Sequence, residues 1–132
     1  MIKAIIFDFY GVIYQNDRLD EDLIDLVDRL KSKYKTAIVS NIGRASFNQV
    51  MPEKVQDLFD EILLSGETGY FKPEPESFLE ATHRLGVKPE FCVMIDDTLT
   101  HVDASRLIGM YGILYENLDQ LKMELGTIVN TT

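Results

Sequence analysis

Apolar and polar residues alternate along the chain in blocks whose lengths point by turns to strands and helices. Residues 3–9 form a short, mostly apolar run, the pattern of a strand buried on both faces. Leu23, Ile24, Leu26, Val27 and Leu30 then recur at helical spacing within residues 20–34, with Asp20 placed as N-cap and Leu19 as the staple before it. Residues 36–40 read as a second strand. Residues 44–60 read as helical, but Pro52 interrupts them and predicts two short helices. A third strand is expected at 61–65, followed by a glycine-rich loop over 66–73. Pro75 suits the first turn of a helix and Gly86 its end. A fourth strand at 91–96, a helix at 98–108 ended by Gly109, a fifth strand at 111–115 and a last helix at 118–125 complete the series. The tail from Gly126 is expected to fray.

This strand–helix alternation predicts an α/β fold: a parallel sheet with helices on both faces, joined by right-handed crossovers. The 132 residues suit one domain, 1–132, with no repeat or linker. In such sheets ligands bind beyond the carboxyl ends of the strands, at the point where the strand order reverses. Asp8, Ser40, Asn41, Asp96 and Asp97 all fall at those predicted ends.

The single cysteine, Cys92, lies in an apolar run and reads as a small buried hydrophobe, so no intramolecular disulfide is expected. That fits a reducing compartment, and Met1 leads into the first strand without a basic, then apolar, leader. The expectation is a cytoplasmic protein. No apolar run approaches the length of a membrane span, so no membrane association is expected. The formal net charge of −9 argues against a general nucleic-acid binder. It leaves a phosphorylated ligand open, because a bound cation reverses the local field, and it also serves solubility alone.

Each polar signal has an ordinary reading. Asp8 caps a turn, Ser40-Asn41 make a strand-to-helix turn, Lys72 is a solvated loop lysine, and Asp96-Asp97 cap the next helix. Their joint placement supports another. If the strand of Asp8 is central, Asp8 and Asp97 sit on neighbouring strand ends. Two like charges about 4 Å apart cost on the order of 4 kcal/mol at an effective dielectric near 20. A Mg²⁺ ion held by carboxylates, a carbonyl and water would offset this, and Lys72 is the other available cation. Phosphoryl transfer uses such a set: Asp8 as in-line nucleophile, a hard cation, Ser40 and backbone N–H groups on the equatorial oxygens, and Lys72 on the developing charge.

Four segments, in order, resemble the four motifs of the haloacid dehalogenase-like superfamily. They are Ile-Ile-Phe-Asp-Phe-Tyr-Gly-Val-Ile around Asp8, Ala-Ile-Val-Ser-Asn ending at Asn41, Phe-Lys-Pro-Glu-Pro-Glu-Ser-Phe around Lys72, and Val-Met-Ile-Asp-Asp-Thr with the Val-Asp-Ala-Ser-Arg-Leu-Ile-Gly-Met that follows. The last two match the phosphatase-like branch closely. The resemblance implies a Rossmann-like three-layer α/β/α fold whose five strands, numbered as predicted above, run in the order 3-2-1-4-5. It implies Asp8 as a nucleophile forming an aspartyl-phosphate. It implies Mg²⁺ on Asp8, the main-chain carbonyl of Tyr10 and Asp97, with Asp96 helping through water. Ser40 and Lys72 would hold the phosphoryl group and Asn41 would shape its loop.

Two departures stand out against that family. The phosphatase branch carries a second aspartate two residues after the nucleophile, as general acid and base; here the position is Tyr10. A phenol donates a hydrogen bond but is a poor base near neutrality, and losing acid–base help forfeits about 10²–10⁴ in rate. Tyr10 either assists weakly or packs over the site. A tyrosine here also resembles the 2-haloacid dehalogenase branch, but that branch uses no Mg²⁺ and lacks an acidic pair such as Asp96-Asp97.

The second departure is the short connection, residues 12–19, where most relatives insert a helical cap. An uncapped site predicts a phosphorylated small molecule or macromolecule as substrate, or closure by a homo-oligomer. Together the two departures also allow a binding module without catalysis. Among the remaining residues, His101 and His83 read as exposed helical histidines. Tyr70 and Phe71 read as mouth or packing residues, and Arg44 as a contact for an anion.

Overall fold

The run Ala4–Phe7 becomes β1, the middle strand of a five-stranded parallel sheet, in the computed structural model, which describes residues 1–131. After β1 come a two-stranded hairpin, β2 (Tyr14–Gln15) and β3 (Arg18–Leu19), then α1 (Glu21–Leu30) and β4 (Lys35–Ser40). Next are α2 (Arg44–Val50), α3 (Glu53–Gln56), β5 (Glu61–Leu64), the one-turn α4 (Ser65–Thr68) and α5 (Pro75–Leu85). A 3₁₀ turn (Pro89–Phe91) precedes β6 (Cys92–Asp96), which is followed by α6 (Leu99–Leu107), β7 (Tyr111–Leu114) and α7 (Leu118–Leu125). The sheet order is β5-β4-β1-β6-β7, which is the expected 3-2-1-4-5 arrangement of the five long strands.

Side-chain alternation explains the layers. On β1, Ile5 and Phe7 face one core while Ala4 and Ile6 face the other. The same split runs through β6, with Val93 and Ile95 against Cys92 and Met94. The first core takes Leu23, Leu26, Val27 and Leu30 of α1, Phe47 of α2, and Leu121 and Leu125 of α7. The second takes Phe78, Ala81 and Leu85 of α5, with Ala104 of α6 packed against it. A central strand covered on both faces must be apolar throughout, and β1 is fully buried from Ala4 to Phe7.

Helix ends follow the sequence signals. Asp20 Oδ1 accepts a hydrogen bond from the Leu23 N–H at 3.1 Å, which starts α1. Pro52 separates α2 from α3 as expected. Two local expectations are corrected, the loop at 66–73, which opens inside α4, and the tail, while a segment left without an element gains one. Residues 12–19 hold the β2–β3 hairpin, turned at Asn16 and Asp17 with φ of 56° and 60°, a left-handed pair that Asn and Asp tolerate. The tail is not frayed at Gly126: Val129 is buried, and the Asn130 N–H donates to the Tyr34 hydroxyl at 2.9 Å.

Candidate active site

Parallel register brings the carboxyl ends of β4, β1 and β6 together. Phe7 pairs with Ile38 on one side and Ile95 on the other, and the Asp8 N–H donates to the Ile95 carbonyl at 2.8 Å. Asp8 therefore leaves the sheet beside Asp96, the last residue of β6. This border of β1 and β6 is where the strand order reverses.

Lys72 ties the two acids. Its Nζ lies 2.8 Å from Asp8 Oδ1 and 2.8 Å from Asp96 Oδ2, with all three side chains buried. The Asn41 side chain fixes the lysine backbone: Lys72 N–H donates to Asn41 Oδ1, and Asn41 Nδ2 donates to the Lys72 carbonyl, each at 2.9 Å. Asp8 Oδ1 also accepts from the Phe9 N–H at 2.8 Å. Asp96 Oδ1 accepts from the Thr98 N–H at 3.0 Å, and His101 Nδ1 faces Asp96 Oδ2 at 3.1 Å.

Burial pushes the Asp8 carboxyl up to about 7 from an ordinary 3.8. Lys72 pulls it down, Asp96 pushes it up, and the hydrogen bonds from Lys72 and the Phe9 N–H pull it down again. Asp8, Asp96 and Asp97 offer carboxylate oxygens within 4.8 Å of one another. Three acids against one ammonium leave an excess of negative charge at a buried strand end. An all-oxygen donor set of this kind fits a hard divalent cation such as Mg²⁺. Gly11 makes the cluster sterically feasible, because a Cβ there would lie 2.1 Å from Asp97 Oδ2.

Asp8, Tyr10, Ser40, Asn41, Lys72 and Asp97 line one cavity of about 220 Å³, joined by Ile42, Thr98 and His101. Asp96 is fully buried beside it. The structure thus gathers all seven residues picked from the sequence into one place. Tyr10 is 41% exposed, its ring edge-on to Phe9 (5.0 Å between centroids) and to Tyr14 (5.4 Å). A larger hollow of about 780 Å³ runs along residues 14–22 and Val50, and none of the site carboxylates nor Lys72 lines it.

His101 corrects its sequence reading. It is half-buried, bonded to Asp96 and part of the cavity wall, because the first turn of α6 folds back over the end of β6. Its spacing five residues after Asp96 was the available signal. Arg44 does not face the cavity: it pairs with Glu67, Nη2 to Oε1 at 2.8 Å and Nε to Oε2 at 3.1 Å, which raises the arginine and lowers the glutamate through their hydrogen bonds. Tyr70 and Phe71 are exposed beside Lys72 and line no part of the cavity, and His83 is on the surface of α5 as expected.

A family model described as haloacid dehalogenase-like hydrolase matches residues 14–109. The chain belongs to this family. Among curated relatives, N-acylneuraminate-9-phosphatase of Rattus norvegicus is 33% identical over 109 residues, covering 78% of this chain and 42% of that protein. Flavin mononucleotide hydrolase 1 of Arabidopsis thaliana is 43% identical over 60 residues, 46% of this chain and 24% of that protein. The chain therefore spans less than half the length of these relatives. Among solved structures, an uncharacterized protein from Corynebacterium glutamicum superposes with a TM-score of 0.87 at 26% identity, covering 96% of this chain and 94% of that one. A HAD family enzyme from Bacteroides thetaiotaomicron, solved with magnesium and inorganic phosphate, gives a TM-score of 0.78 at 18% identity, covering 92% and 99%. At that identity it shows the shared fold.

Proposed function

We propose that the chain is a Mg²⁺-dependent phosphohydrolase of modest activity, acting on phosphate esters with Asp8 as nucleophile. The observation that carries this reading is the convergence of Asp8, Asp96 and Asp97 on one spot with Lys72 bonded between two of them. The phosphatases among the relatives support it and point to phosphorylated small molecules. The acidic pair Asp96-Asp97 also favours phosphate chemistry over metal-free displacement of halide.

Asp8, Asp97 and the Tyr10 carbonyl would hold the ion, which supplies charge neutralisation at the phosphoryl oxygens when bound. Asp8 then attacks phosphorus in line. Ser40, at the end of β4, offers a hydroxyl to an equatorial oxygen, and Lys72 keeps its ammonium at the nucleophile, beside the phosphoryl oxygens whose charge it would neutralise. Asn41 holds Lys72 in place through two backbone bonds. Only the β2–β3 hairpin lies between β1 and α1, and we read the site as one without a cap, open to solvent beside Tyr10. The absent carboxylic acid at that position is why the activity is set as modest.

The test is hydrolysis of a panel of phosphate esters with Mg²⁺, with chelator, and with Asp8→Asn. Turnover that needs both the ion and Asp8 supports the reading. No Mg²⁺-dependent turnover across the panel removes it, and Mg²⁺ binding without turnover would make the chain a binding module.

A further inference from the structure

We infer that the Tyr10 ring is a stacking platform for the leaving group, so that the preferred substrates are phosphate esters carrying a flat, uncharged aromatic ring next to the ester oxygen. This rests on the phosphohydrolase reading and names a substrate class for it. Tyr10 serves in it as a surface, not as an acid or a base.

The cavity has a volume of about 220 Å³. At about 30 Å³ per water-sized group it takes roughly seven of them. A phosphoryl group, its ion and the waters of that ion fill such a space. The rest of an ester must then lie at the mouth. Tyr10 both lines the cavity and stands 41% exposed there.

The ring is held before any ligand arrives. Its centroid lies 5.0 Å from that of Phe9 and 5.4 Å from that of Tyr14. Phe9 is fully buried, stacked on Tyr14 at 5.7 Å and edge-on to Phe47 at 4.9 Å, so the aromatic cluster runs from the mouth into the core. The backbone is pinned as well. The Phe9 carbonyl accepts from the N–H groups of Val12, Ile13 and Tyr14, and the Gly11 N–H donates to the Tyr14 carbonyl at 2.8 Å. A side chain already fixed in place loses little freedom when a ligand covers it. Offset or edge-to-face contact between two rings adds to what their buried area contributes.

Charge narrows the class. Among the described residues, Lys72 is the only lysine or arginine that lines the cavity, and Asp8 and Asp96 engage it. Arg44 is paired with Glu67 instead. A carboxylate or a second phosphate on the leaving group would find no fixed cation there, whereas an uncharged ring finds Tyr10.

Binding of non-hydrolysable analogues separates stacking from the basicity of the leaving oxygen. Benzylphosphonate and cyclohexylmethylphosphonate are titrated calorimetrically into the full chain with Mg²⁺, and turnover of phenyl phosphate is followed beside them. Benzylphosphonate should bind about three- to tenfold more tightly, the scale of one ring–ring contact. Tyr10→Phe, which keeps the ring and removes the hydroxyl, should keep that ratio. Tyr10→Leu, apolar without a ring, should bring it to about one. Binding of inorganic phosphate with Mg²⁺ reports that each variant is folded at the site, and Tyr10→Asn replaces Tyr10→Leu if the latter has lost it. Equal binding of the two phosphonates by the wild type, with Mg²⁺-dependent turnover intact, overturns the inference and leaves the phosphohydrolase reading standing. A ratio that survives loss of the ring, or that falls in Tyr10→Phe, overturns it too. Absence of Mg²⁺-dependent turnover of every ester overturns the reading together with the inference. Turnover of phenyl phosphate against that of a capped phosphotyrosine peptide separates the two sources of such a ring, a small molecule or a protein side chain, and faster hydrolysis of either supports the shared chemistry.

Discussion

Gly11 and Asp97 compete for one space: a Cβ at Gly11 would lie 2.1 Å from Asp97 Oδ2. Gly11 also has φ of 90°, a conformation that L side chains rarely adopt. Gly11→Ala is therefore strained in its own backbone, by about 1–2 kcal/mol, and must move the Asp97 carboxylate as well. The expected outcome is a small loss of stability and a large loss of Mg²⁺ affinity, tenfold or more. Calorimetric titration with Mg²⁺ checks the second, and urea unfolding the first. Unchanged affinity would mean that Asp97 does not hold the ion.

Lys72 is buried between two acids, so its removal should cost more than a surface ion pair. Lys72→Met leaves Asp8 and Asp96 facing each other without their shared cation. Breaking a buried pair from one side typically costs about 3–5 kcal/mol. The cost should be larger at pH 8 than at pH 5, where Asp8 takes up a proton and needs no partner. Urea unfolding of the metal-free variant at the two pH values measures this, and equal losses would contradict it.

Stability of the metal-free protein should fall as pH rises. Asp8 has its folded value near 7, above the ordinary 3.8, so folding favours its protonated form. That contribution is complete below about pH 4 and is lost as pH climbs through 7. In chelator, the thermal midpoint of the wild type should drop over this range by more than that of Asp8→Asn, which has no proton to lose. Adding Mg²⁺ should restore more stability at pH 8 than at pH 5, because the ion binds the carboxylate. Parallel curves for the two proteins would show that Asp8 does not carry the effect.

The sheet was readable because its strands are short and apolar and its helices carry their own punctuation. Pro75 begins α5, Gly86 ends it at φ of 69°, and Asp20 caps α1. The positions of Asp8, Ser40 and Asp96 followed from the same pattern, since polar residues that end buried strands collect on one rim. The hairpin at residues 14–19 was not readable from apolar alternation, because each of its strands is only two residues long. The tail was misjudged because Val129 and Asn130 gain partners from the body of the fold, above all Tyr34, ninety-six positions earlier. His101 was missed for a related reason. A lone histidine on a helix says nothing of its face until the helix is docked, and α6 docks with its first turn over Asp96. Arg44 looked available beside the second motif until Glu67 was brought to it by α4, directly after β5.

His101 is the second side chain, with Lys72, on one oxygen of Asp96. With Asp96 ionised, the proton between them sits on His101 Nδ1, which donates to the same oxygen that accepts from Lys72. Removing this donor with His101→Ala leaves a fully buried carboxylate with one partner fewer, at a cost of about 1–3 kcal/mol. The Lys72 ammonium, bonded to both acids, should then shift towards Asp96 and away from Asp8. If so, kcat should fall about tenfold, while KM for a phosphate ester moves little. His101→Asn, whose amide can donate to Asp96 from the same turn, should recover most of both losses. A histidine that only fills space would show the stability loss without the fall in kcat, and the asparagine variant would then offer no rescue of rate.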